Sequence, residues 1–143
     1  MGAVANLAPE LFAGILADVP FVDALTTILD PSLPLTVIEW DEWGDPLHDA
    51  SVYEYMKSYT PYENVREGVE YPRILAVTSL NDTRVYYVEP AKWVARLRAV
   101  GADALLKCEM VAGHGGVSGR YNAWHQRAFE IAWLLDVVGL ADA

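Results

Sequence analysis

The stretch RILAVTSL at residues 73–80, with EPAKWVARLRAVGAD at 89–103 and ALLKCEMVA at 104–112, decides the fold of this chain. The first and third segments are almost continuously apolar, which is typical of parallel strands covered on both faces. The middle segment predicts a helix with Pro90 in its first turn and Gly101 just past its end. Its apolar residues recur at helical spacing, at Trp93, Leu97 and Val100. Strand, helix and strand in succession predict a right-handed βαβ unit.

Other segments extend this unit into a layered α/β structure. The run AGILADVP at 13–20 predicts a third strand, and residues 121–138 predict an amphipathic helix that covers the sheet. The face expected to meet the sheet carries Trp124, Ala128, Ile131, Leu134, Leu135 and Val138. Residues 2–11 predict the tail of another helix, and 30–71 a functional excursion with a short helix at 51–58. We therefore expect about three parallel strands with flanking helices, and at least one unpaired sheet edge.

Composition limits the classes of partner. The 143 residues carry 10 basic and 20 acidic side chains, a formal net charge of −10, and 53% of them are hydrophobic. A nucleic-acid backbone or an anionic membrane needs a positive protein surface, so neither is an expected partner. The single cysteine, Cys108, excludes an internal disulfide, and no apolar run reaches transmembrane length. These features predict a globular, cytoplasmic protein.

Two residues that can move or orient protons follow successive predicted strands. Asp82 comes just after the strand at 73–80, and His114 follows the strand at 104–112 within AGHGG. In open α/β sheets, functional sites form outside the carboxyl ends of the strands. An acid followed by a histidine is also the chain order of the α/β-hydrolase triad, in which the carboxylate orients the imidazole. Spacing alone leaves open that both are ordinary solvated loop residues.

The remaining histidines do not turn this pair into a metal site. His48 and His125 lie in unrelated local contexts, and no pair of histidines has the spacing of an HExxH motif. We therefore predict no metal site and no cofactor, and we interpret His125 as a surface or packing residue.

Longer motifs resemble one known family. They are PFVDALTTILDPSLPLTVIEWDEWGDP at 20–46, YEYMKSYTPYENV at 53–65, LNDTRVYYVEPAKWVARLR at 80–98 and AGHGGVSGR at 112–120. In this order and over essentially the whole chain, they are similar to the oligopeptidase B group of the prolyl oligopeptidase family of serine peptidases. The resemblance is to the C-terminal part of the catalytic domain. It implies that the chain forms the C-terminal portion of an α/β-hydrolase fold.

The resemblance implies a role for each matching residue. Asp82 of NDTRV matches the family's triad aspartate, and His114 of GHGG matches its triad histidine. Arg84 matches an arginine that holds the substrate backbone near P2. Glu39 and Asp41 of EWD match an acidic pair, written Glu-x-Glu, that receives an arginine or lysine side chain at P1.

The residues of that acidic pair are ambiguous when taken alone. They favour a solvated acidic loop with tryptophans packed beneath it. Two acids at positions i and i+2 face the same side if the segment is extended. Asp41 is one methylene shorter than the family's second glutamate, which leaves the preference between arginine and lysine open.

A serine peptidase of this type also needs a nucleophile in Gly-x-Ser-x-Gly on a strand-to-helix turn. None of the five serines, at positions 32, 51, 58, 79 and 118, has glycine at both −2 and +2. The resemblance places the family's serine motif just before Met1 and a β-propeller further upstream. We therefore expect residues 1–143 to form a partial catalytic domain without that motif or the propeller, and to have no peptidase activity alone.

Two functions stay open at this point. In the first, the chain is the C-terminal fragment of a serine oligopeptidase that, when intact, cleaves short basic peptides after Arg or Lys. The fragment is then either a truncated product or one piece of a split enzyme in which another chain supplies the serine and the rest of the sheet. Alternatively, it is a non-enzymatic remnant that binds basic peptides through Glu39 and Asp41, or self-associates through its open sheet edge. Activity restored by a serine-bearing fragment distinguishes the first from the second.

Overall fold

The computed structural model describes residues 1–141. Their helices and strands are α1 (Gly2–Leu7), β1 (Gly14–Asp18), α2 (Ala24–Ile28), α3 (Thr36–Trp43), α4 (Ala50–Tyr59), β2 (Arg73–Ser79), α5 (Val88–Ala99), β3 (Ala104–Glu109) and α6 (Arg120–Val137), with a 3-10 turn at Pro9–Leu11. The three predicted strands and the predicted βαβ unit are confirmed. No helix in this part of the chain combines the length and the apolarity needed to cross a membrane.

The sheet is parallel, with the strand order β1, β2, β3. Its register pairs Ile15 with Ile74 and Ile74 with Ala104. Within residues 1–141, only the central strand β2 has a neighbour on both sides, so the outer edges of β1 and β3 are unpaired. Leu105, on β3, is 40% exposed. The expected open sheet edge is therefore present.

The central strand β2 is buried on both faces, which accounts for its continuous apolar sequence. One face packs in a cluster that contains Ile15, Ile74, Ala76, Trp93, Val94, Leu97 and Ala104. Leu75 and Val77 point to the other face, where they pack with Trp133 of α6. Side chains alternate across a strand. A strand covered by helices on both sides therefore has no position that favours a polar residue.

The helix α5 begins and ends as the sequence predicts. Pro90 lies in its first turn, where a missing backbone N–H has no cost. Gly101 follows the helix with φ of +89°, a left-handed conformation that glycine adopts without steric strain. The backbone N–H of Gly101 donates to the carbonyl of Arg98 at 3.0 Å, and that of Ala102 donates to Leu97 at 3.0 Å. The chain thus reverses directly into β3.

The N-terminal helix is shorter than the predicted segment 2–11. It ends at Leu7, and Pro9 begins a separate 3-10 turn, since proline has no N–H with which to continue an α-helix. Ala5 of α1 is fully buried in the sheet cluster. Leu7 and Leu11 are both 72% exposed, so the outer side of this segment is apolar and uncovered by other described residues.

The C-terminal helix is confirmed, but the face predicted to cover the sheet is wrong. Trp124 is 61% exposed, and the other large predicted contacts, Ile131, Leu134, Leu135 and Val138, are also exposed. The helix instead packs through Trp133 and Val137. Apolar residues occur on several sides of α6, so periodicity could not choose among them. Gly14 of β1 accommodates the observed face, because its bare Cα lets Val137 approach closely.

The segment 30–71 contains the predicted short helix, which runs as α4 from Ala50 to Tyr59. It also contains an unpredicted helix, α3, at the EWD motif. The extended conformation in which Glu39 and Asp41 would face the same side is therefore not the one that the segment adopts. Trp40 and Trp43 recur at helical spacing and pack against a cluster around Leu25, Ile28 and Met56. Burial of these two indoles on one side of the segment favours the helix.

Candidate active site

The ends of β2 and β3 are tied together by backbone hydrogen bonds beyond the strands. The N–H of Leu80 donates to the carbonyl of Glu109 at 2.8 Å, and that of Asn81 donates to Ala112 at 3.2 Å. Parallel strands end at the same edge of a sheet, so these bonds hold the two following loops side by side. They bring Asp82 and His114 together, 32 residues apart in the chain.

Asp82 is a buried carboxylate with its acceptor positions occupied. Its side chain has no exposed surface. One oxygen, Oδ1, accepts hydrogen bonds from the backbone N–H groups of Arg84 at 2.8 Å and Val85 at 3.0 Å. Burial by itself raises the pKa of Asp82, but these two donors and the nearby His114 ring outweigh it, and the pKa lies below its usual value. Asp82 is therefore ionised at neutral pH.

His114 contacts the other oxygen of this carboxylate. Its Nδ1 lies 2.9 Å from Oδ2 of Asp82, and 40% of the His114 side chain is exposed. An ionised carboxylate can only accept hydrogen bonds. In the neutral ring the hydrogen therefore sits on Nδ1, which leaves the lone pair on Nε2 free to accept a proton. This is the arrangement of an oriented general base.

Glycines shape the loop that carries His114. Gly113 and Gly116 form an antiparallel bridge, with the N–H of Gly116 donating to the carbonyl of Gly113 at 3.0 Å. Gly116 has φ of +75°, which glycine adopts without the strain that a side chain would add. His114 lies within this tight turn, and its ring is accessible.

A cleft of about 380 Å³ adjoins the histidine. Glu39, Arg84 and His114 all line it, so the structure brings together three of the predicted substrate-binding and catalytic residues. Asp41 is not among the lining residues, although it and Glu42 are both exposed. Glu42, which the sequence analysis did not single out, lines the cleft beside Glu39. Helical spacing is the signal that could have identified it, since residues i and i+3 share a face.

Two hydrogen bonds anchor α3, which carries these acids, to α2. The hydroxyl of Thr36 donates to the carbonyl of Thr27 at 3.0 Å, and Trp40 Nε1 donates to the carbonyl of Ile28 at 3.0 Å. The rings of Phe21 and Trp43 both line the cleft, with centroids 5.7 Å apart. The acidic side chains therefore stand on a helix fixed at several points, next to an aromatic wall.

Glu89 holds the backbone next to Phe21, which belongs to the same wall. It lies in the first turn of α5 and is 1% exposed. Its Oε2 accepts from the backbone N–H groups of Val22 and Asp23, both at 3.0 Å, and its Oε1 accepts from the hydroxyl of Thr27 at 2.6 Å. Burial raises the pKa of Glu89, and these donors only partly oppose the shift. Glu89 was not identifiable from the sequence, because nothing local distinguishes it from an acid at any helix start.

A second cavity, of about 210 Å³, lies on another side of His114. Asp18 and Glu130 line it, and burial together with the charge of Glu130 raises the pKa of Asp18. The hydroxyl of Thr78, also in the lining, is buried without a hydrogen-bond partner. The polar groups that end β1 and β2 thus face a space that the described residues leave unfilled.

The described residues form neither a metal-binding cluster nor a bond between a serine and His114. In residues 1–141, no three or more His, Cys, Asp and Glu side chains are grouped so that they could hold a metal ion. His48 instead contacts Asp45, with 2.7 Å between Nδ1 and Oδ2. Among the described residues, Asp82 is the one side-chain hydrogen-bond partner of His114, so no serine hydroxyl is bonded to the ring.

Comparisons with known proteins agree with this geometry. The chain is 54% identical over 143 residues to Protease 2 of Moraxella lacunata, in an alignment that covers 98% of the chain and 20% of that protein. It is 46% identical over 144 residues to dipeptidyl aminopeptidase BI of Pseudoxanthomonas mexicana, with 99% and 20% covered. The structure of oligopeptidase B from Leishmania major matches with a TM-score of 0.94 at 45% identity, over 99% of this chain and 20% of that one.

The chain thus spans 20% of the length of each of these relatives. Its three parallel strands and flanking helices are the C-terminal portion of an α/β-hydrolase fold. The sequence profile of the prolyl oligopeptidase family matches residues 1–141. The resemblance found in the sequence motifs is therefore confirmed, and the chain belongs to the prolyl oligopeptidase family of peptidases.

Proposed function

We propose that this chain supplies the general base, its orienting acid and the basic-residue pocket of a serine peptidase that cleaves short peptides after arginine or lysine. The observation that carries the proposal is the pairing of His114 with the buried carboxylate of Asp82 at 2.9 Å, at the edge of an acidic cleft. In this role His114 takes a proton from a serine hydroxyl and then gives it to the leaving amine. Asp82 holds the ring in the required tautomer and stabilises its cation.

The cleft beside His114 supports a basic substrate side chain. A guanidinium or ammonium group that leaves water needs a fixed carboxylate to offset its desolvation. Glu39 is half-buried in the lining and has no ion-pair partner among the described residues. Arg84 lies on the same lining, and in this proposal it holds a substrate carbonyl near P2. Asp41, proposed from the family motif as the second acid, stands outside the lining.

The nucleophile comes from a different segment in this proposal. The five serines of the chain lie outside the Gly-x-Ser-x-Gly pattern, and the partial catalytic domain at 1–143 is expected to need the serine-bearing turn and the remaining strands of an α/β-hydrolase sheet. The unpaired edge of β1 can receive such a strand. A cytoplasmic location and short basic peptides as substrates remain predictions.

A chimera tests the proposal. Residues 1–143 replace the matching part of Protease 2, and hydrolysis is measured with a fluorogenic peptide that ends in Arg-Arg before the reporter. We expect the chimera to be active, its His114→Ala variant to lose at least about a thousandfold, and the chain alone to be inactive. A folded but inactive chimera refutes the proposal. Turnover by the chain alone that survives repurification refutes the part that concerns the nucleophile.

The chimera also separates two modes of cleavage. One relative is named a dipeptidyl aminopeptidase, which removes dipeptides from free N-termini. Substrates with free and with acetylated N-termini therefore belong in the same assay. Cleavage of the acetylated peptide favours the oligopeptidase activity proposed here, whereas a strict requirement for a free amine favours the activity of that relative.

A non-enzymatic role is the second candidate, and the two unpaired sheet edges and exposed apolar helix faces favour it. In this role the chain binds basic peptides or associates with itself through a sheet edge. Sedimentation equilibrium of the chain tests self-association. A concentration-dependent dimer, together with no gain of activity when a serine-bearing fragment is added, favours this role over the first.

A further inference from the structure

We infer that Glu42, rather than Asp41, is the second carboxylate that receives a basic P1 side chain together with Glu39. This inference rests on the proposed function, because it identifies a specificity-determining residue within the same cleft. Both glutamates line that cleft along with His114, and Asp41 does not.

The helical conformation of α3 decides which acids can act together. Successive residues in an α-helix are rotated by about 100°, so Glu39 and Asp41 point about 160° apart, whereas Glu39 and Glu42 differ by about 60°. Residues at i and i+3 have Cβ atoms roughly 5–6 Å apart on one face. That separation lets two carboxylates approach one guanidinium from neighbouring directions.

Charge in the cleft favours a cationic ligand. Neither glutamate forms an ion pair with any described residue. The lining contains two acidic residues, Glu39 and Glu42, and one permanently charged base, Arg84. A cationic side chain that enters between the acids therefore meets an unpaired negative charge, which improves the electrostatic balance of the cleft.

The apolar part of the lining fits the stem of the same side chain. Phe21 and Trp43 form an aromatic wall, and Leu33, Pro34 and Val85 complete an apolar surface. Arginine packs its methylene stem and planar head against aromatic rings while the head donates to carboxylates. Because Asp41 lies outside this lining, its shorter side chain does not set the depth of the pocket. A pocket with two glutamates favours arginine over lysine, since a guanidinium has a planar fork of donors.

Binding to the full 143-residue chain tests the inference without any hydrolysis. The probes are acetyl-glycyl-arginine amide and its citrulline counterpart, which has nearly the same shape and no charge. Titrations followed by ¹H–¹⁵N NMR give the ratio of the two affinities, and the indole signal of Trp43 reports on binding in the cleft. We expect the arginine-to-citrulline ratio to fall about fivefold or more in Glu42→Gln, and by less than twofold in Asp41→Asn.

Two variants complete the comparison. Glu39→Gln is expected to lower the ratio at least as much as Glu42→Gln, and Glu54→Gln on the exposed side of α4 is a matched control for the general loss of one negative charge. A fall in Asp41→Asn but not in Glu42→Gln overturns the inference and leaves the proposed function standing. Equal affinities for both probes in the unmodified chain overturn the inference and count against the basic-residue pocket as well.

Discussion

Replacement of Glu89 tests whether the wall of the cleft depends on one buried carboxylate. In Glu89→Ala, the backbone N–H groups of Val22 and Asp23 and the hydroxyl of Thr27 lose their acceptor. Both backbone donors belong to residues that are at most 2% exposed, so water cannot easily replace the carboxylate. An unsatisfied buried donor costs about 1–3 kcal/mol. Part of this loss is offset because a costly buried charge also disappears.

We therefore expect Glu89→Ala to lower the free energy of unfolding by about 3 kcal/mol. The two backbone donors that lose their acceptor cost about 2 kcal/mol each, and removal of the buried charge offsets part of that cost. Glu89→Gln is the matched control. Its amide oxygen can still accept from both backbone donors, so the expected loss is below about 1 kcal/mol. Urea denaturation followed by tryptophan fluorescence measures both variants. Equal destabilisation by alanine and glutamine would refute the reasoning, because it would assign the effect to the charge rather than to the acceptor.

The pH dependence of stability, compared between the unmodified chain and Glu89→Gln, gives a separate check. Burial raises the pKa of folded Glu89 above its ordinary value of 4.5, so the folded state binds this proton more tightly than the unfolded state. Stability from Glu89 is then fullest below pH 4.5 and falls as pH rises through the folded pKa. We expect the unmodified chain to gain stability relative to Glu89→Gln as pH is lowered from 7 toward 4.5. A difference that does not change with pH would contradict this assignment.

Two further substitutions test the site and the packing of the sheet. Asp82→Asn keeps an oxygen for the backbone donors but places an amide N–H against Nδ1 of His114, which moves the ring hydrogen to Nε2. ¹⁵N NMR of the imidazole should show this changed tautomer. An unchanged tautomer would mean that Asp82 does not orient the ring. Gly14→Ala places a Cβ 2.7 Å from Cγ1 of Val137 and should lower the free energy of unfolding by about 1–3 kcal/mol. The control Gly115→Ala meets no atom within 4 Å, and a similar loss in both variants would argue against a packing effect.

The sheet and the pairing of Asp82 with His114 were predictable because their signals are local and continuous. The segment at 73–80 is apolar at nearly every position, which indicates a strand covered on both faces. Asp82 and His114 each follow such a strand directly, and parallel topology alone brings adjacent strand ends to one edge. Neither inference required knowledge of how distant side chains pack.

The cleft and the sheet-facing side of α6 were not predictable in the same way. Glu39–Asp41 lies in a segment rich in proline, tryptophan, tyrosine and acid, where a helix forms because Trp40 and Trp43 pack against α2 and α4. In α6, apolar residues surround the helix, and the choice of Trp133 over Trp124 depends on its fit against Gly14 of a strand far away in the chain. Such choices are settled by tertiary packing, which overrides a local pattern.

The hydrogen bonds that orient the pair all lie within the βαβ unit and its two following loops. Asp82 is held by the N–H groups of Arg84 and Val85, and the strand ends are joined through Leu80 and Asn81. No bond from α3, which carries the proposed specificity acids, contributes to this set. The orientation of His114 therefore does not depend on α3 or on the source of a nucleophile. A serine that reaches this site would meet an imidazole that folding has already oriented. Such prior orientation is the condition for efficient proton transfer.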